Sequence, residues 1–595
     1  MAEKILNSRY YPKYHLAAPV GWINDPNGFC FYNGEYHMFY QYHPYSPQWG
    51  PMHWGHATSK DLITWKNQPV ALAPDRDYDR DGCFSGSAIE KDGKLYLMYT
   101  GHIADGPQTQ CLAISEDGIT FEKFEGNPVL VAPDSEEISK NDFRDPKVWK
   151  RGKKYYCTVG SKTLDERGQV LLFESDNLIN WDFKEISARA KDPDEKMWEC
   201  PNFAEFDSGA LLIMSVIGGE KFRTGYITGK FSYKTGKFNG GEFQLIDYGT
   251  DFYAPQITTT PDGRIIMMGW LSMWNVAMPE QADGWAGLMT VPREIIYSNG
   301  KVFTPPAKEL EKLRGEHSTH KNFSLTKRSE LDNFSGDVGE IVLDIDLKNN
   351  PAFNIEFRAG DNERTVLSYA NNNLKLDCSQ SGEGPKNICE CTLEKSDTLE
   401  LRIFIDKSSV EVFANGGEKV ISARIYPKET SQRVYFVPVE NTLHINSAIF
   451  YNIVEEIFTE RTLVLIKPDA FAKNHTGDIL KRYEDAGFKI IAAKVMQMDN
   501  KIAAIHYEEH REKIFYKDLV EFMTSAPLMA VVLSGRHVIE RVREINGATN
   551  PENAAEGTIR KLYAESSSKN AVHASDSAES AEREIKIFFS ELEIF

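Results

Sequence analysis

Three carboxylates stand in short polar motifs in the first part of the chain: Asp25 in "GWINDPNGF", Asp145 in "FRDP" and Glu199 in "WECP". Each precedes a turn that opens an apolar, aromatic run, by 8 residues before Asn33, 6 before Arg151 and 8 before Asp207. Asn, Asp, Pro and Gly all make turns, so "NDPNG" alone reads as loop punctuation. Acids recurring in similar phase call for more. Three oxygen ligands suit Mg2+ or Ca2+, whereas the aromatics around them (Trp22, Trp49, Phe84, Trp198) suit a sugar, whose C–H faces stack on rings. Two carboxylates suffice to hydrolyse a glycoside, one as nucleophile or base and one as proton donor. A second ionised acid nearby raises the donor's pKa, and burial against Trp198 adds to that. This chemistry needs no cofactor.

A repeat supplies the elements that position these residues. "NGEYHMFYQ", "DGKLYLMYT" and "RGKKYYCTV" start at Asn33, Asp92 and Arg151, 59 residues apart both times. Weaker copies start at Asp207 and Asp262, and "SKDLITW", "SEDGITF" and "SDNLINW" keep step from Ser59, Ser115 and Ser175. Five units of short strands joined by Gly/Asp turns predict a five-bladed β-propeller. The first strand of each blade then lines the central channel. Asn24-Asp25, "FSGS", "FRDP", "WECP" and "DFYAP" converge at one mouth of it, bringing the three acids together with Arg144 and several aromatics.

Composition narrows the partners. The chain has 595 residues, 68 Lys and Arg against 87 Asp and Glu, and a formal charge of −19. That length predicts several domains, and that charge argues against nucleic acid or an anionic membrane as the main partner. No apolar run approaches the roughly 20 residues that span a bilayer, and "MAEKILNSRYYPKYH" lacks the apolar core of a signal peptide. The eight cysteines form no CxxC pair and read as reduced thiols, as in a cytoplasmic protein.

In order and spacing, "WINDPNG", "FSGSA", "FRDP" and "MWECP" resemble the motifs of the invertase/levanase/inulinase family of fructan- and sucrose-hydrolysing glycoside hydrolases. The resemblance runs from about Asn7 to Ile453. It implies a five-bladed propeller followed by a β-sandwich, and retention of anomeric configuration. By resemblance Asp25 matches the nucleophile, Glu199 the general acid/base and Asp145 the acid that grips the fructose hydroxyls. Asn24, Gln41, Trp49, Phe84, Ser85, Arg144, Tyr253 and Trp270 match fructose-pocket contacts. Cys200 matches a position that tunes the acid, or is a buried small apolar residue. "DRDGCFSGSA" and "QWGPMHWGHATSKDLITW" look most like bacterial sucrose or sucrose-6-phosphate hydrolases. A phosphosugar needs basic groups near the mouth, where sequence does not place His53, His56 or a lysine, so plain β-fructofuranosidase activity is the expectation. From about Glu316 alternating strands such as "GEIVLDIDL" carry no catalytic group and resemble the family's sandwich.

At Thr459 the text changes. "TERTLVLIKPDAF" reads as a strand and turn, helical patterns follow, and the tail concentrates His, Ser, Asp, Arg and Asn. A lone His is usually structural, but His573 in "NAVHASDS" has Arg543 and Arg560 upstream and an acidic helix downstream. An imidazole nucleophile with arginines to spread charge suits phosphoryl transfer. "IKPDAF", "GATNP", "GTIR" and "HASDS" resemble nucleoside diphosphate kinase, an α/β ferredoxin-like enzyme, over 459–595. The resemblance makes His573 the phosphorylated nucleophile of a ping-pong transfer, oriented by Glu584. It matches Lys467, Arg543, Thr549, Arg560 and Asn570 to phosphate and ribose, Tyr507 to support of the site, and Phe515 and Leu519 to the base. Mg2+ arrives on ATP or the nucleoside diphosphate, and no protein side chain is assigned to a metal. Ala574 stands where the family usually has Gly.

The expected architecture is thus a propeller (1–305), a β-sandwich (316–455) and a ferredoxin-like kinase domain (459–595). "YNIVEEIF" meets "TERTLV" without a flexible linker, and the two chemistries share no intermediate. The join therefore reads as a fusion, engineered or by gene joining, in which the kinase's homo-oligomerisation arranges the hydrolase. The competing readings are a kinase domain kept only as an assembly module and a propeller that binds sugar without catalysis.

Overall fold

The turns that open the first repeated units are two-residue hairpins. Asn33 and Gly34 have φ of 49° and 84°, and Asp92 and Gly93 have 53° and 77°. Positive φ at both residues gives the turn a twist that matches the strands it joins. The units fold as five antiparallel sheets in chain order. Their first strands are Gly21–Tyr32, Gly82–Lys91, Phe143–Arg151, Met197–Phe206 and Tyr253–Thr259. These five neighbour one another in a closed ring, the first against the last, which is the five-bladed propeller. Trp285–Ala286 pairs in parallel with the start of the first inner strand.

The computed structural model describes residues 7–218, 221–454, 460–535 and 537–595. Residues 1–6 at the start and 455–459 at the join, with both limits expected there, lie outside the described residues. Packing divides the chain into two units, Met1–Val454 and Glu455–Phe595.

Within the first unit the propeller is followed by two facing sheets, of six and five strands. Their alternating inward residues make one core that includes Ile341, Leu343, Ile345, Leu399, Leu401, Ile403 and Phe436. Cys389 and Cys391, two apart on strand Ile388–Thr392, face that core together, as the period of two requires. All eight cysteines are free thiols. Buried ions tie the sandwich to the propeller. Arg293 donates to Asp247 at 2.7 Å and to Glu411 at 2.5 Å, and His15 lies 2.7 Å from Asp406 and 3.1 Å from Glu411. Burial opposes a charge on His15, but its hydrogen bonds to Asp406 and Glu411 outweigh this and raise it to about 9.

The second unit is a four-stranded antiparallel sheet in the order Lys489–Met496, Leu528–Gly535, Glu460–Ile466, Val572–Ala574. With helices between the strands, this is the ferredoxin-like arrangement. The continuous apolar run "LVLI" is explained by burial on both faces. Val464 and Ile466 pack with helix residues Ile479, Tyr483 and Val542, while Leu463 and Leu465 pack against Ala503, Met523, Ile585 and Phe588.

Candidate active sites

All five inner propeller strands break register near the same end, at Ile23/Pro26, Phe84/Gly86, Arg144/Lys147, Glu199/Asn202 and Tyr253/Gln256. Three of these bulges hold a proline, namely Pro146, Pro201 and Pro255, while Pro26 is the first paired residue after Asn24 and Asp25. A bulge leaves its extra residue unpaired, so a residue without an N–H loses nothing there. Asp145, Cys200 and Ala254, each just before a proline, have φ of 64°, 48° and 49°. Such backbone costs ~1–3 kcal/mol per residue and recurs where side chains must be aimed.

The bulges correct the expectation of matched phase. Counted from the proline, Asp25, Asp145 and Cys200 are equivalent, and Glu199 stands one residue earlier, beside Asn24 and Arg144. The three acids still meet. Asn24 donates to Asp25 Oδ1 at 3.0 Å, Ser85 to Asp25 Oδ2 at 2.7 Å, and the Cys200 thiol to the same oxygen at 3.6 Å. The Cys200 amide donates to Asp145 Oδ2 at 2.9 Å. Arg144 Nε and Nη2 both donate to Glu199 Oε1, at 2.9 and 2.8 Å, and the Tyr253 hydroxyl donates to Oε2 at 2.6 Å.

Burial pushes Asp25 up to about 6, with the Asn24 hydrogen bond opposing and the Glu199 charge adding. Asp145 is likewise pushed up by burial, against the pull of Arg144 and with the charges of Glu199 and Asp25 behind it. Burial, then the charges of Asp145, Asp25 and Glu199, hold Cys200 well above the usual thiol range, so it stays a donor.

The remaining expected contacts divide by depth. Trp49 is 50% exposed and meets Phe84 edge-on, centroids 6.4 Å apart. Gln41 is buried and donates to the Cys83 carbonyl at 2.9 Å. Trp270 is fully buried against Trp22 and Trp274, behind the acids in a cluster with Cys200 and Tyr253. Trp198 does not press on Glu199, as the sequence had suggested. Neighbours on a strand face opposite ways, and Trp198 packs with Val170, Leu212 and Phe238 and donates to Glu195 at 3.2 Å. Neither His53 nor His56 offers a cation to a phosphosugar. Burial lowers both, and His56 stacks on Phe39 at 4.1 Å and lies 3.0 Å from His37. Sequence reading passed over Gln108 and Asp142, whose oxygens each lie 3.3 Å from Arg144 Nη1, and Thr100, which accepts from the Asp145 amide at 3.0 Å. Asp142 had a signal, three residues before Asp145, whereas Gln108 arrives from a loop without one.

In the second unit His573, Lys467, Tyr507, Phe515, Leu519, Arg543, Thr549, Arg560, Asn570 and Glu584 all line one cavity of about 1070 Å³. His573 Nε2 lies 2.9 Å from Glu584 Oε2, which also accepts from Ser575 at 2.8 Å. A carboxylate there takes the Nε2 proton, so Nδ1 keeps the lone pair. Lys467 donates to Asn570 at 2.6 Å, and burial with Arg560 beside it lowers Lys467 to about 8. Arg560 holds the Gly547 and Val572 carbonyls at 2.7 and 3.1 Å. Phe515 is 49% exposed at the rim. Ala574 lies in strand Val572–Ala574, and the left-handed residue is Ala571, with φ of 66°, so alanine fits its place. His506 and Arg583 also line the cavity and were not singled out from sequence. Lys467, Arg543, Arg560 and Arg583 share the lining with the acids Glu509, Glu540, Glu544, Asp576 and Glu584.

Among the described residues no helix is long and apolar enough to cross a membrane. Residues 15–306 match the glycosyl hydrolases family 32 N-terminal domain, 309–452 the glycosyl hydrolases family 32 C-terminal domain, and 460–594 nucleoside diphosphate kinase. Similar proteins include a sucrose-6-phosphate hydrolase of Escherichia coli, 42% identical over 435 residues, which are 70% of this chain and 90% of that protein. A levanase of Bacillus subtilis is 36% identical over 71% of this chain and 67% of its own. The solved β-fructofuranosidase of Bombyx mori is 33% identical, with a TM-score of 0.66 over 76% of this chain and 95% of its own.

Proposed function

The chain belongs to glycosyl hydrolase family 32 and carries a nucleoside diphosphate kinase domain, and from that premise we propose two mechanisms. The first unit cleaves a terminal β-fructofuranoside, sucrose or its 6-phosphate, with retention. The second moves a phosphoryl group through a phosphohistidine. The observation that carries the first reading is the meeting of Asp25, Asp145 and Glu199, with Cys200 donating to both aspartates and the charge of Glu199 acting on each.

In this mechanism Asp25 Oδ attacks the anomeric carbon as the bond to the leaving oxygen breaks, and Glu199 gives that oxygen its proton. Water then gives a proton to Glu199 while its oxygen displaces Asp25, which restores both carboxyl groups. Asp25 must be ionised to attack, and Ser85, Asn24 and Cys200 favour that form by hydrogen bonding. In the unliganded site Arg144 and Tyr253 both donate to Glu199. Fructosyl hydroxyls that draw Arg144 away leave Glu199 Oε1 free to face the leaving oxygen. Asp145 and Arg144 then hold the sugar hydroxyls.

In the second unit His573 Nδ1 attacks the terminal phosphorus, the nucleoside diphosphate leaves, and the phosphoryl group passes from His573 to a second diphosphate. Glu584 offsets the charge of the imidazolium, and Arg543, Arg560 and Lys467 that of the moving group. Magnesium, bound to the nucleotide, adds further charge neutralisation.

We place the domain limits at 1–305, 316–455 and 459–595, the protein in the cytoplasm, and its assembly into oligomers in the second unit. Limited proteolysis and the mass in solution check the first and last of these. The decisive experiment offers the full chain sucrose, sucrose-6-phosphate and inulin, and reads the first-formed fructose anomer by NMR. In parallel, γ-labelled ATP is chased with a nucleoside diphosphate. Inverted product sinks the covalent route, and label absent from His573 sinks the phosphohistidine.

A further inference from the structure

One buried imidazole in the second unit has neither nitrogen hydrogen-bonded. His506, the last residue of helix Asn500–His506, is 4% exposed, and neither Nδ1 nor Nε2 meets a partner. A neutral ring carries one N–H and one lone pair, and burying both unpaired is costly enough to need a reason. The ring stands edge-on to His573, with centroids 4.8 Å apart and planes at 82°. One ligand atom from each of His506, His573 and Glu584 lies within 4.8 Å of the other two. His573 Nε2 and Glu584 Oε2 are already 2.9 Å apart.

We propose that His506, His573 and Glu584 form a binding site for one divalent transition cation of the Zn2+ type, and that its occupancy switches phosphoryl transfer off. Two imidazoles, one carboxylate and an open fourth position are a ligand set such cations favour. Mg2+, which demands oxygen ligands and octahedral geometry, is not recognised by it. Bonds of about 2.0–2.1 Å in tetrahedral geometry place ligands about 3.3–3.5 Å apart. The widest pair therefore closes by roughly 1 Å, within the reach of side-chain rotation by His506. Ser575, donating to Glu584 Oε2 at 2.8 Å, orients that carboxylate from behind.

Inhibition follows from the proton count of one ring. In the free enzyme His573 carries its proton on Nε2, toward Glu584, and its lone pair on Nδ1. A cation on Nε2 binds the ring's single in-plane lone pair there, and the ring proton moves to Nδ1. No proton leaves the ring, but the nitrogen that attacks phosphorus no longer has an electron pair to give. The inhibitory half rests on the phosphohistidine reading, whereas the binding half does not.

The test uses the full chain without nucleotide. Calorimetry with ZnCl2, and the visible bands of four-coordinate CoCl2, should report a site that His506→Ala weakens by at least about 100-fold, the upper end of what losing even an outer partner costs. Zinc inhibition of phosphoryl transfer, measured against each protein's own zinc-free rate, should weaken by the same factor. Anomalous scattering from zinc-soaked wild-type crystals should place the ion among the three side chains, which decides the matter even if His506→Ala does not fold. Equal zinc affinity in wild type and folded variant, or an anomalous peak elsewhere, overturns the site. Zinc bound at the triad while transfer proceeds at full rate overturns the inhibitory half alone.

Discussion

The two active sites in this chain solve opposite electrostatic problems. In the propeller, Asp25, Asp145 and Glu199 repel one another, and Arg144 is the guanidinium that donates twice to Glu199 Oε1. Crowding and burial push protons onto acids, which suits a reaction that must both give and take one. In the second unit Lys467, Arg543 and Arg560 line a cavity with His573 and Glu584, so that cations stand beside the imidazole rather than a crowd of acids beside one guanidinium. One site raises carboxylate pKa values to do proton chemistry, and the other lowers that of a lysine while it collects cations for phosphate. The assemblies differ as well. The propeller site draws on five strands spread from Asn24 to Tyr253, while His573, Ser575 and Glu584 come from one short stretch of chain.

If the sites are independent, their variants must separate cleanly. Asp25→Ala should cut fructoside hydrolysis by about 10⁴-fold or more, as loss of a nucleophile does elsewhere, and leave phosphoryl transfer within twofold; loss of both would merge the sites. His573→Ala should do the converse, with phosphoryl transfer reduced to background and sucrose turnover unchanged.

Stability should separate in the same way. His15→Ala leaves Asp406 without its buried cation and Glu411 with Arg293 alone, which costs about 3–5 kcal/mol, so calorimetry should show the first unit's transition falling and the second's unmoved. Because its folded pKa is raised to about 9, the stability that His15 contributes is fully present below its unfolded value near 6.5. It is lost as pH rises through about 9, and the first transition alone should drop there.

Smaller changes sharpen the account of Asp25. Ser85→Ala removes a hydrogen bond to the ionised carboxylate, worth about 1.5–3 kcal/mol. It should lower kcat/KM roughly tenfold and move the acidic limb of the pH profile, set near 6 by Asp25, upward. Cys200→Ala, which loses a weak sulfur donor at 3.6 Å, should cost only about threefold. A larger loss than Ser85→Ala would reverse their order in supporting Asp25.

Much of this was legible before any coordinates. The Asn-Gly and Asp-Gly turns encode hairpins locally, because few residues tolerate positive φ, and their even spacing counts the blades. "TERTLVLIKPDAF" announces a strand and a turn, and "HASDS" with the arginines upstream announces the phosphate chemistry. The bulges were harder to read. Four X-Pro pairs were visible in the sequence, yet that each marks a break in register depends on the partner strand, so Glu199 was taken to be in phase with Asp25. Gln108 and Thr100 carried no signal, since their roles arise from what a neighbouring blade brings alongside.

Sequence alone determined the residue types: which acids, which imidazole, which turns, and therefore the classes of chemistry at hand. Tertiary structure decided which groups hydrogen-bond to each acid, which aromatics stand exposed and which are buried, and that His506 stands beside His573. The physical reason is range. Turn and strand preferences act between neighbours along the chain, whereas pKa values, ligand sets and hydrogen-bond partners depend on a few ångströms between residues that the chain holds far apart.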